Sequence, residues 1–153
     1  MHIHKKCYGE PMPFPCIPLH VRKADRLLSQ MYGRYFAKSG MRGTQFALLR
    51  AIAAMPEPFI TEIGRILGMD QTTVTRNVEK LEKAGLVETG PNPGDTRKKM
   101  VRLSASGKAS LAVAEPCWAE AQQALLDGLG EDEARELLRL LAKVSALAQD
   151  GAE

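Results

Sequence analysis

The sequence predicts a mainly helical fold with one small β hairpin, and three observations support this. Apolar residues recur at spacings of three and four along most of the 153 residues, which is the period of amphipathic helices. One pair of short β-prone runs interrupts this pattern between residues 86 and 103. Hydrophobic residues make up 44% of the chain and charged residues 25%, which is typical of a folded globular domain.

The sequence carries no membrane or secretion signal. No apolar run approaches the roughly 18 to 20 residues of a membrane-spanning helix, and the N-terminus lacks a signal-peptide pattern. The three cysteines are too few, and odd in number, for the disulfide framework of a secreted protein. We therefore expect a cytoplasmic protein without membrane contact.

The motifs of common enzyme classes are also missing. The chain has no phosphate-binding loop, no dinucleotide fingerprint and no HExxH motif, and it has only three histidines for acid–base chemistry. His2, His4 and Cys7 are metal-ligand types, but their spacing fits no strong zinc pattern. We expect no catalytic residue, no cofactor and no metal site.

Charge is distributed unevenly along the chain. The net charge of +3 is too small to indicate a nucleic-acid partner by itself. Residues 1–55 contain nine basic and two acidic residues, whereas residues 103–153 contain four basic and nine acidic ones. We therefore expect the acidic C-terminal part to lie away from any phosphate backbone.

The N-terminal region predicts an extended arm followed by a long helix. Prolines at positions 11, 13, 15 and 18 disfavour a regular helix, so residues 1–18 are interpreted as an arm. From Leu19 to Ala37 the apolar residues recur at helical spacing, and Gly40 ends the segment.

Two shorter helices follow. Thr44 is a candidate N-cap for a helix that reaches Ala54 and is ended by the prolines at 56 and 58. Thr61 precedes a third, short helix, and Gly68 stands where the end of a helix requires a positive φ.

The next segment has the pattern of a recognition helix. Val74, Val78 and Leu81 form one apolar stripe in the run from Gln71 to Ala84, and Gly85 ends that run. A short helix, a tight glycine turn and a second helix with a polar outer face make a helix-turn-helix. Taken alone, the polar face could equally be a solvated helix surface. The residues on it that suit base or phosphate contacts are Gln71, Thr72, Thr73, Thr75, Arg76, Asn77 and Lys80.

Two β-prone runs after this helix predict a hairpin of the kind called a wing. They cover residues 86–89 and 100–103 and are joined by a loop containing glycine and proline. The tip of this loop could enter a minor groove or lie along phosphates, and the alternative is a charged, solvated loop. Together these segments predict a winged helix-turn-helix lobe over residues 44–104. The basic residues at its tip are Arg97, Lys98 and Lys99.

Two further helices close the chain. Residues 105–127 are rich in alanine and leucine and include Trp118, and residues 131–147 have leucines at helical spacing. Their apolar surface exceeds what so small a lobe can cover. We therefore expect segments 19–40 and 105–149 to form a dimerisation domain with a second copy.

The stretch from Thr61 to Val87 resembles the helix-turn-helix of the MarR family of transcriptional regulators almost residue for residue. The wing sequence Asp95-Thr96-Arg97, the run from Val101 to Ser104, and Gly107 carry the same resemblance, which spans roughly residues 19 to 149. It implies a homodimer whose two winged lobes occupy successive major grooves of a pseudopalindromic operator in duplex DNA. Such a protein regulates transcription, by repression or less often by activation.

The resemblance also implies roles for two wing residues. In the family, a wing arginine reaches into the minor groove and a wing aspartate orients it or the recognition helix, which assigns these roles to Arg97 and Asp95. Asp95 is equally well explained as a turn residue, because aspartate side chains bond to nearby backbone in turns.

The signal that such a regulator senses stays open. Relatives commonly respond to small aromatic or phenolic acids held between the DNA-binding lobe and the dimer helices, which implies a small-molecule effector. A subset senses oxidants through two cysteines, and Cys16 and Cys117 resemble that pair, so a disulfide switch is the alternative. Cys16 departs from the pattern because Pro15 and Pro18 flank it, and cysteine is also a common small core residue.

Two interpretations from other functional classes remain. A thiol redox enzyme would turn over peroxide, whereas a sensor would react stoichiometrically. A protein-interaction module that keeps the wing fold would tolerate charge reversal at Arg76 and Arg97. The polar face of the recognition helix favours DNA binding over both.

Overall fold

The computed structural model describes residues 15–150, apart from the side chains of Thr96, Arg97 and Asp150. This part of the chain forms helices around one two-stranded antiparallel sheet, so the prediction of a mainly helical fold with a β wing is confirmed. None of the described helices is long and apolar enough to cross a membrane. In chain order the elements are α1 (Ile17–Phe36), a short 3-10 helix (Ala37–Ser39), α2 (Gly43–Ala53), α3 (Ile60–Leu67), α4 (Gln71–Lys83), β1 (Val87–Asn92), β2 (Asp95–Leu103), α5 (Ala105–Leu129) and α6 (Glu131–Asp150).

The first helix begins earlier than the sequence pattern predicts. The expected extended arm, residues 1–18, lies largely outside the described residues. Its last two residues, Ile17 and Pro18, belong to the first turn of α1. Assigning them to the arm was wrong. Proline is tolerated there because the N–H groups of a first helical turn have no intrahelical acceptor. Cys16 is the N-cap, with extended backbone and no capping side-chain bond.

In each of the next two helices, a side chain in the first turn accepts a hydrogen bond from the backbone N–H of the N-cap residue. Gln45 Oε1 accepts a hydrogen bond from the Arg42 N–H at 3.1 Å, so α2 begins at Gly43 and the prediction of Thr44 as its N-cap was wrong. Glu62 Oε2 accepts from the Phe59 N–H at 2.8 Å in the same way. Each bond satisfies an N–H that the helix start leaves without a partner.

The core of the lobe lies between α2, α3, α4 and the sheet. Leu49 and Ile63 are fully buried, and the predicted inward stripe of α4, formed by Val74, Val78 and Leu81, is buried as well. Because these three residues face the core, the opposite side of α4 must face outward.

A single serine joins the lobe to α5. Ser104 Oγ accepts the Gly107 N–H at 2.9 Å as the N-cap of α5 and donates to the Gly85 carbonyl at 2.6 Å. Gly107 packs so closely on the backbone of Leu86 that a Cβ there would lie 1.9 Å from the Leu86 carbonyl oxygen. Only glycine fits at this position, which explains its place in the pattern after the wing.

The second half of α1 and the 3-10 helix after it are tied to α5 by two polar contacts. Tyr32 of α1 donates to Gln122 Oε1 at 2.6 Å, and burial raises the pKa of this tyrosine above its usual value. Lys38 of the 3-10 helix forms an exposed ion pair with Glu120 at 3.0 Å. These contacts place α1 against the middle of α5.

The outer helices leave apolar stripes without a partner in the described chain. None of the residues 131–149 of α6 is buried, and the large apolar side chains of this helix are 40 to 65% exposed. They recur at helical spacing on one side of the helix, as Leu137, Leu138, Leu140, Leu141, Val144 and Leu147. In α1 the exposed apolar residues are Ile17, Leu19, Val21, Leu27 and Leu28. Such surfaces on helices indicate an interface.

Candidate nucleic-acid interface

The start of α4 is fixed by a turn and a cap. Gly68 has φ +63, which turns the chain after α3, and Met69 donates its N–H back to the Gly64 carbonyl at 2.9 Å. Asp70 then caps α4, accepting the Thr73 N–H at 2.9 Å and the Thr73 hydroxyl at 2.6 Å. These hydrogen bonds hold the pKa of Asp70 below its usual value because they favour the carboxylate.

The outward face of α4 carries four of the seven DNA-contacting residues predicted on this helix. Thr72, Arg76 and Lys80 are exposed and follow one another at intervals of four, so they form one stripe opposite the buried valines. Gln71 is exposed at the first turn. Along this stripe Thr72 presents a hydroxyl, and Arg76 and Lys80 each present a positive charge. Groups of these kinds pair with bases and phosphates.

The three remaining predicted residues of α4 are less available. The Thr73 hydroxyl is engaged by the cap, and the Thr75 hydroxyl donates to the Gln71 carbonyl at 2.8 Å. Thr75 and Asn77 are only half-exposed on the flanks of the stripe. The structure therefore brings all seven residues onto one helix but leaves the two bonded hydroxyls with local partners.

The wing is longer than predicted, and its turn lies elsewhere. Asn92 pairs with Asp95 across a tight turn at Pro93-Gly94, where Asn92 Oδ1 accepts the Gly94 N–H at 3.0 Å. Proline followed by glycine suits the two central positions of such a turn. The prediction of a loop over residues 90–99 was therefore wrong, and so was the placement of the basic residues at its tip.

The basic residues lie instead on β2, where the ladder is irregular. Pro91 pairs with Lys99 and the next residue, Asn92, pairs with Asp95, so residues 96–98 have no partner across the ladder. An irregularity of this kind twists a strand and re-aims its side chains. Lys98 and Lys99 are exposed, and Asp95 is half-buried. Arg97 belongs to the same segment, but its side chain lies outside the described residues.

Contacts that the sequence pattern missed fix the wing on the lobe. Phe59 forms a β-bridge with Met100, and the Val101 N–H donates to the Pro58 carbonyl at 2.9 Å. The Lys98 Nζ lies 5.5 Å from the centre of the Phe59 ring, which is within the range of a cation–π contact. The prolines at 56 and 58 mark this segment as extended, which is the one sequence signal that could have found it.

A second missed contact joins the wing to the recognition helix. Glu82 Oε1 accepts both the Thr89 N–H, at 3.2 Å, and the Thr89 hydroxyl, at 2.6 Å. Because Glu82 lies on α4 and Thr89 on β1, these two hydrogen bonds connect the two elements that would contact DNA.

A large open groove lies between α1, α2 and α5, with the end of α3 at one side and Trp118 as the contribution of α5. It has a volume of about 960 Å³, and Arg42 and Arg50 are the only charged residues among the described side chains that line it. The Arg50 guanidinium lies 3.8 Å from the centre of the Trp118 ring and 5.8 Å from that of Phe46. The rest of the lining is mostly apolar and includes Leu28, Tyr32, Phe36, Met41, Ala47 and Ile66.

The two predicted switch cysteines sit in unlike surroundings. Cys16 is exposed at the start of α1, whereas Cys117 is 7% exposed within the core cluster. Cys117 Sγ lies 4.0 Å from the Val113 carbonyl one turn earlier in α5. Both thiols are free in this structure.

Comparison with known proteins identifies close relatives. A family model described as the MarR family matches residues 39–98. The chain is 32% identical over 127 residues to the multiple antibiotic resistance protein MarR of Escherichia coli, covering 80% of this chain and 83% of that protein. It is 29% identical over 124 residues to the transcriptional repressor NicR of Pseudomonas putida, covering 81% and 78%.

A solved structure with bound DNA resembles the fold. The transcriptional regulator MosR of M. tuberculosis, in complex with DNA, superposes with a TM-score of 0.81 at 31% identity. The match covers 89% of this chain and 98% of that one. The similarity therefore includes the outer helices as well as the winged lobe.

Proposed function

The chain belongs to the MarR family, and from that premise we propose that it binds a pseudopalindromic site in duplex DNA as a homodimer and represses transcription from it. Members of the family are transcriptional regulators and not enzymes. The proposal of repression is supported by the relative NicR, which is named as a repressor.

The observation that carries the proposal is the joined pair of α4 and the wing. The stripe of Thr72, Arg76 and Lys80 is exposed, while hydrogen bonds from Thr89 to Glu82 hold the wing beside it. Base contacts would come from the first turns of α4, which enter a major groove, and phosphate or minor-groove contacts from residues 97–99. Arg97 is assigned to the minor groove because the wing sequence Asp95-Thr96-Arg97 resembles that of the family, in which a wing arginine has this role.

Dimers are typical of the family, and the outer helices support one here. The apolar stripe of α6 has nothing to cover it within residues 15–150, and α1 carries a second exposed apolar set. A partner subunit that covers both would place two α4 helices on successive major grooves, about 34 Å apart. Segments 19–40 and 105–149 are therefore proposed as the dimerisation domain and residues 44–104 as the DNA-binding lobe.

The groove between α1, α2 and α5 is the proposed effector site. Small-molecule binding is typical of the family, and this groove lies where the lobe meets the dimer helices. A small aromatic or phenolic acid bound there would change the spacing of the two lobes from the groove repeat and so release DNA.

The oxidant-sensing alternative has weaker support. Cys117 is buried, which limits access of a peroxide to its thiol, although Cys16 is exposed. Its test is DNA binding by the reduced protein, repeated after peroxide and again after reductant. Binding that peroxide abolishes and reductant restores would replace the effector proposal with a thiol switch.

The DNA-binding proposal is tested by fluorescence anisotropy with a labelled duplex from the region upstream of the gene. We expect tight binding that exceeds binding to a scrambled duplex and weakens as salt rises. Arg76→Glu and Arg97→Glu should abolish specific binding, whereas Lys108→Glu, an exposed residue of α5 outside both elements, should not. Unchanged binding in both arginine variants, or no specific binding by the wild type, would refute the proposal.

A further inference from the structure

We propose that Arg50 and Trp118 are positioning residues for DNA binding, because their contact holds the winged lobe to α5 just after Pro116, where the backbone of α5 lacks a hydrogen bond. This role rests on the proposed function, in which a homodimer binds a dyad-symmetric site in DNA. The contact keeps each lobe at the angle, and the two lobes at the spacing, that such a site requires.

Pro116 interrupts the hydrogen bonding of α5 near the middle of this long helix. The helix runs from Ala105 to Leu129, and Pro116 lies inside it. Proline has no N–H, so the carbonyl of Ala112 cannot receive the hydrogen bond that a helix normally supplies four residues later. Ala112 and Pro116 are both exposed, so this gap lies on the outer side of α5. Sharp bends of helices occur at such positions.

The two parts of α5 that Pro116 separates are attached to different parts of the protein. Before it, Ser104 caps the first turn of α5 and donates to a carbonyl of the lobe at 2.6 Å. After it, Gln122 accepts a hydrogen bond from Tyr32 of α1 at 2.6 Å. A bend at Pro116 would therefore turn the lobe relative to the helices that are proposed to form the dimer.

Arg50 makes a contact that crosses this boundary. It lies on α2 inside the lobe, and its guanidinium carbon is 3.8 Å from the centre of the Trp118 ring, two residues after Pro116. The Phe46 ring, one turn earlier on α2, stacks with Trp118 at a distance of 6.2 Å and an angle of 23°. The lobe therefore contacts α5 beyond the missing hydrogen bond through a cation and two aromatic rings.

Aromatic rings are the partners that order the Arg50 side chain. Within residues 15–150 no ion pair includes Arg50, although the side chain is exposed and charged. Its guanidinium is 5.8 Å from the centre of the Phe46 ring, in addition to its closer contact with Trp118. A flat guanidinium stacks on a ring, which the compact ammonium of a lysine cannot do.

The strength of the Arg50–Trp118 contact sets the size of the expected effect. An exposed cation–π contact shifts an equilibrium between two arrangements by about 2- to 5-fold, and no contact shifts it by more than its own free energy. A homodimer has two such contacts, and both lobes must engage the operator. The two factors therefore multiply to roughly 4- to 25-fold.

Operator binding by Arg50→Met is compared with that of the wild type, using fluorescence anisotropy with the full-length protein. The variant should bind the operator roughly 4- to 25-fold more weakly. It should bind a duplex with a single half-site like the wild type, because α4 and the wing are unchanged. Inserting one base pair at the dyad should weaken binding of the variant less than binding of the wild type, because its lobes are less strictly spaced.

Two further measurements distinguish positioning from a direct contact of Arg50 with DNA. The slope of log binding constant against log salt concentration should be the same in Arg50→Met and the wild type, because no phosphate contact is lost. Arg34→Met removes an exposed arginine near the end of α1 that does not line the groove, and it should bind the operator like the wild type. A lower slope in Arg50→Met would assign Arg50 to phosphate instead.

Pro116→Ala distinguishes this role from a contact that only stabilises the fold. Alanine supplies the N–H that Ala112 lacks, and α5 is helical on both sides of position 116, so the arrangement of the lobe is kept. With alanine at this position, Arg50→Met should weaken operator binding by less than about twofold. The same loss with proline and with alanine, or loss of operator binding in Pro116→Ala alone, would overturn the proposal.

Trp118→Leu tests the partner of Arg50. The variant that combines it with Arg50→Met should bind the operator no more weakly than Trp118→Leu alone, because either change removes the same contact. Arg50→Lys should lie between the wild type and Arg50→Met. Fully additive losses would contradict the role of the contact. Arg50 and Pro116 are both exposed, so their variants test the proposal even if Trp118→Leu does not fold.

Hydrogen exchange followed by mass spectrometry tests the contact without DNA, so its failure is distinct from failure of the proposed function. Peptides covering residues 112–120 should exchange faster in Arg50→Met than in the wild type, and Pro116→Ala should reverse this difference. Faster exchange in a protein that binds no operator would uphold the contact and refute the regulator. Operator binding that is unchanged in Arg50→Met would overturn the positioning role and leave the proposed regulator intact.

Discussion

Glu82 of α4 and Thr89 of β1 are joined by two hydrogen bonds that end on the same carboxylate oxygen. The recognition helix and the wing therefore form one unit, although the chain between them turns sharply at Gly85, which has φ +72. On β1 the neighbouring Glu88 pairs with Arg102 of β2 at 2.9 Å and ties the two wing strands together. A wing held in this way presents its basic strand at a fixed distance from the helix.

Removing the Thr89 hydroxyl tests this coupling. Thr89→Val keeps the shape and β propensity of the residue but loses the 2.6 Å bond to Glu82. We expect a loss of about 1 kcal/mol in unfolding free energy and weaker DNA binding, because the wing is less well held. Chemical denaturation and anisotropy measure the two effects. Thr89→Ser, which keeps the hydroxyl, should bind DNA as tightly as the wild type, and equal weakening in both variants would argue against the hydrogen bond.

Arg76 and Lys80 are expected to contribute to DNA binding in different ways. Arg76 lies nearer the start of α4, where bases are read, so Arg76→Ala should cost about 1–3 kcal/mol and reduce the preference for the operator over other duplexes. Lys80→Ala should weaken binding to all sequences. It should also reduce the slope of log binding constant against log salt concentration by about one, as expected of a phosphate contact. Binding isotherms at several salt concentrations distinguish the two. Glu79→Ala, on the same exposed face, should not weaken binding.

The apolar stripe of α6 is expected to hold the dimer together. Leu138 and Leu141 are 65% and 40% exposed in the single chain, so replacing both with glutamate should barely affect the fold of a protomer. The same change would bury two charges in an interface, which is strongly unfavourable. Light scattering should give twice the chain mass for the wild type and for the control Ala146→Glu, on the opposite side of α6, and the single-chain mass for the double variant. A double variant that stays dimeric would place the interface elsewhere.

The cap at Asp70 predicts a specific pH dependence of stability. Hydrogen bonds from Thr73 lower the pKa of Asp70 in the folded protein, below its ordinary value of 3.8. The stabilisation is therefore complete above pH 3.8 and is lost as the pH falls through the lower pKa of the folded state. In thermal unfolding, Asp70→Ala should be less stable than the wild type at neutral pH, and this difference in stability should shrink below pH 3.8. Asp70→Asn keeps a hydrogen-bond acceptor without the charge, so the difference in stability between Asp70→Asn and Asp70→Ala should not change across this pH range.

The sequence was sufficient for the parts of the fold that depend on local pattern. The stripe of Val74, Val78 and Leu81 predicted the buried face of α4 and hence its exposed face, because a helix repeats every 3.6 residues. Proline was less informative at Pro18, since the same residue that breaks a helix interior is acceptable in a first turn.

The parts that failed depend on pairing between distant residues. Strand propensity placed the wing strands at residues 86–89 and 100–103, but the pairing of Asn92 with Asp95 extends both strands to a tight turn at Pro93-Gly94. The contacts of Glu82 with Thr89 and of Arg50 with Trp118 join different elements, and nothing in their local sequence marks them. Both contacts bear directly on the proposed function.

Hydroxyl-radical footprinting of the wild-type protein on its own upstream DNA tests the central proposal most directly. A homodimer that places two copies of α4 on successive major grooves should protect two half-sites related by a dyad, with centres about 10 base pairs or a multiple of that apart. Arg76→Ala should remove protection from both half-sites together. No protected site, or a single site without dyad symmetry, would contradict the proposal that this chain acts on DNA as a homodimer.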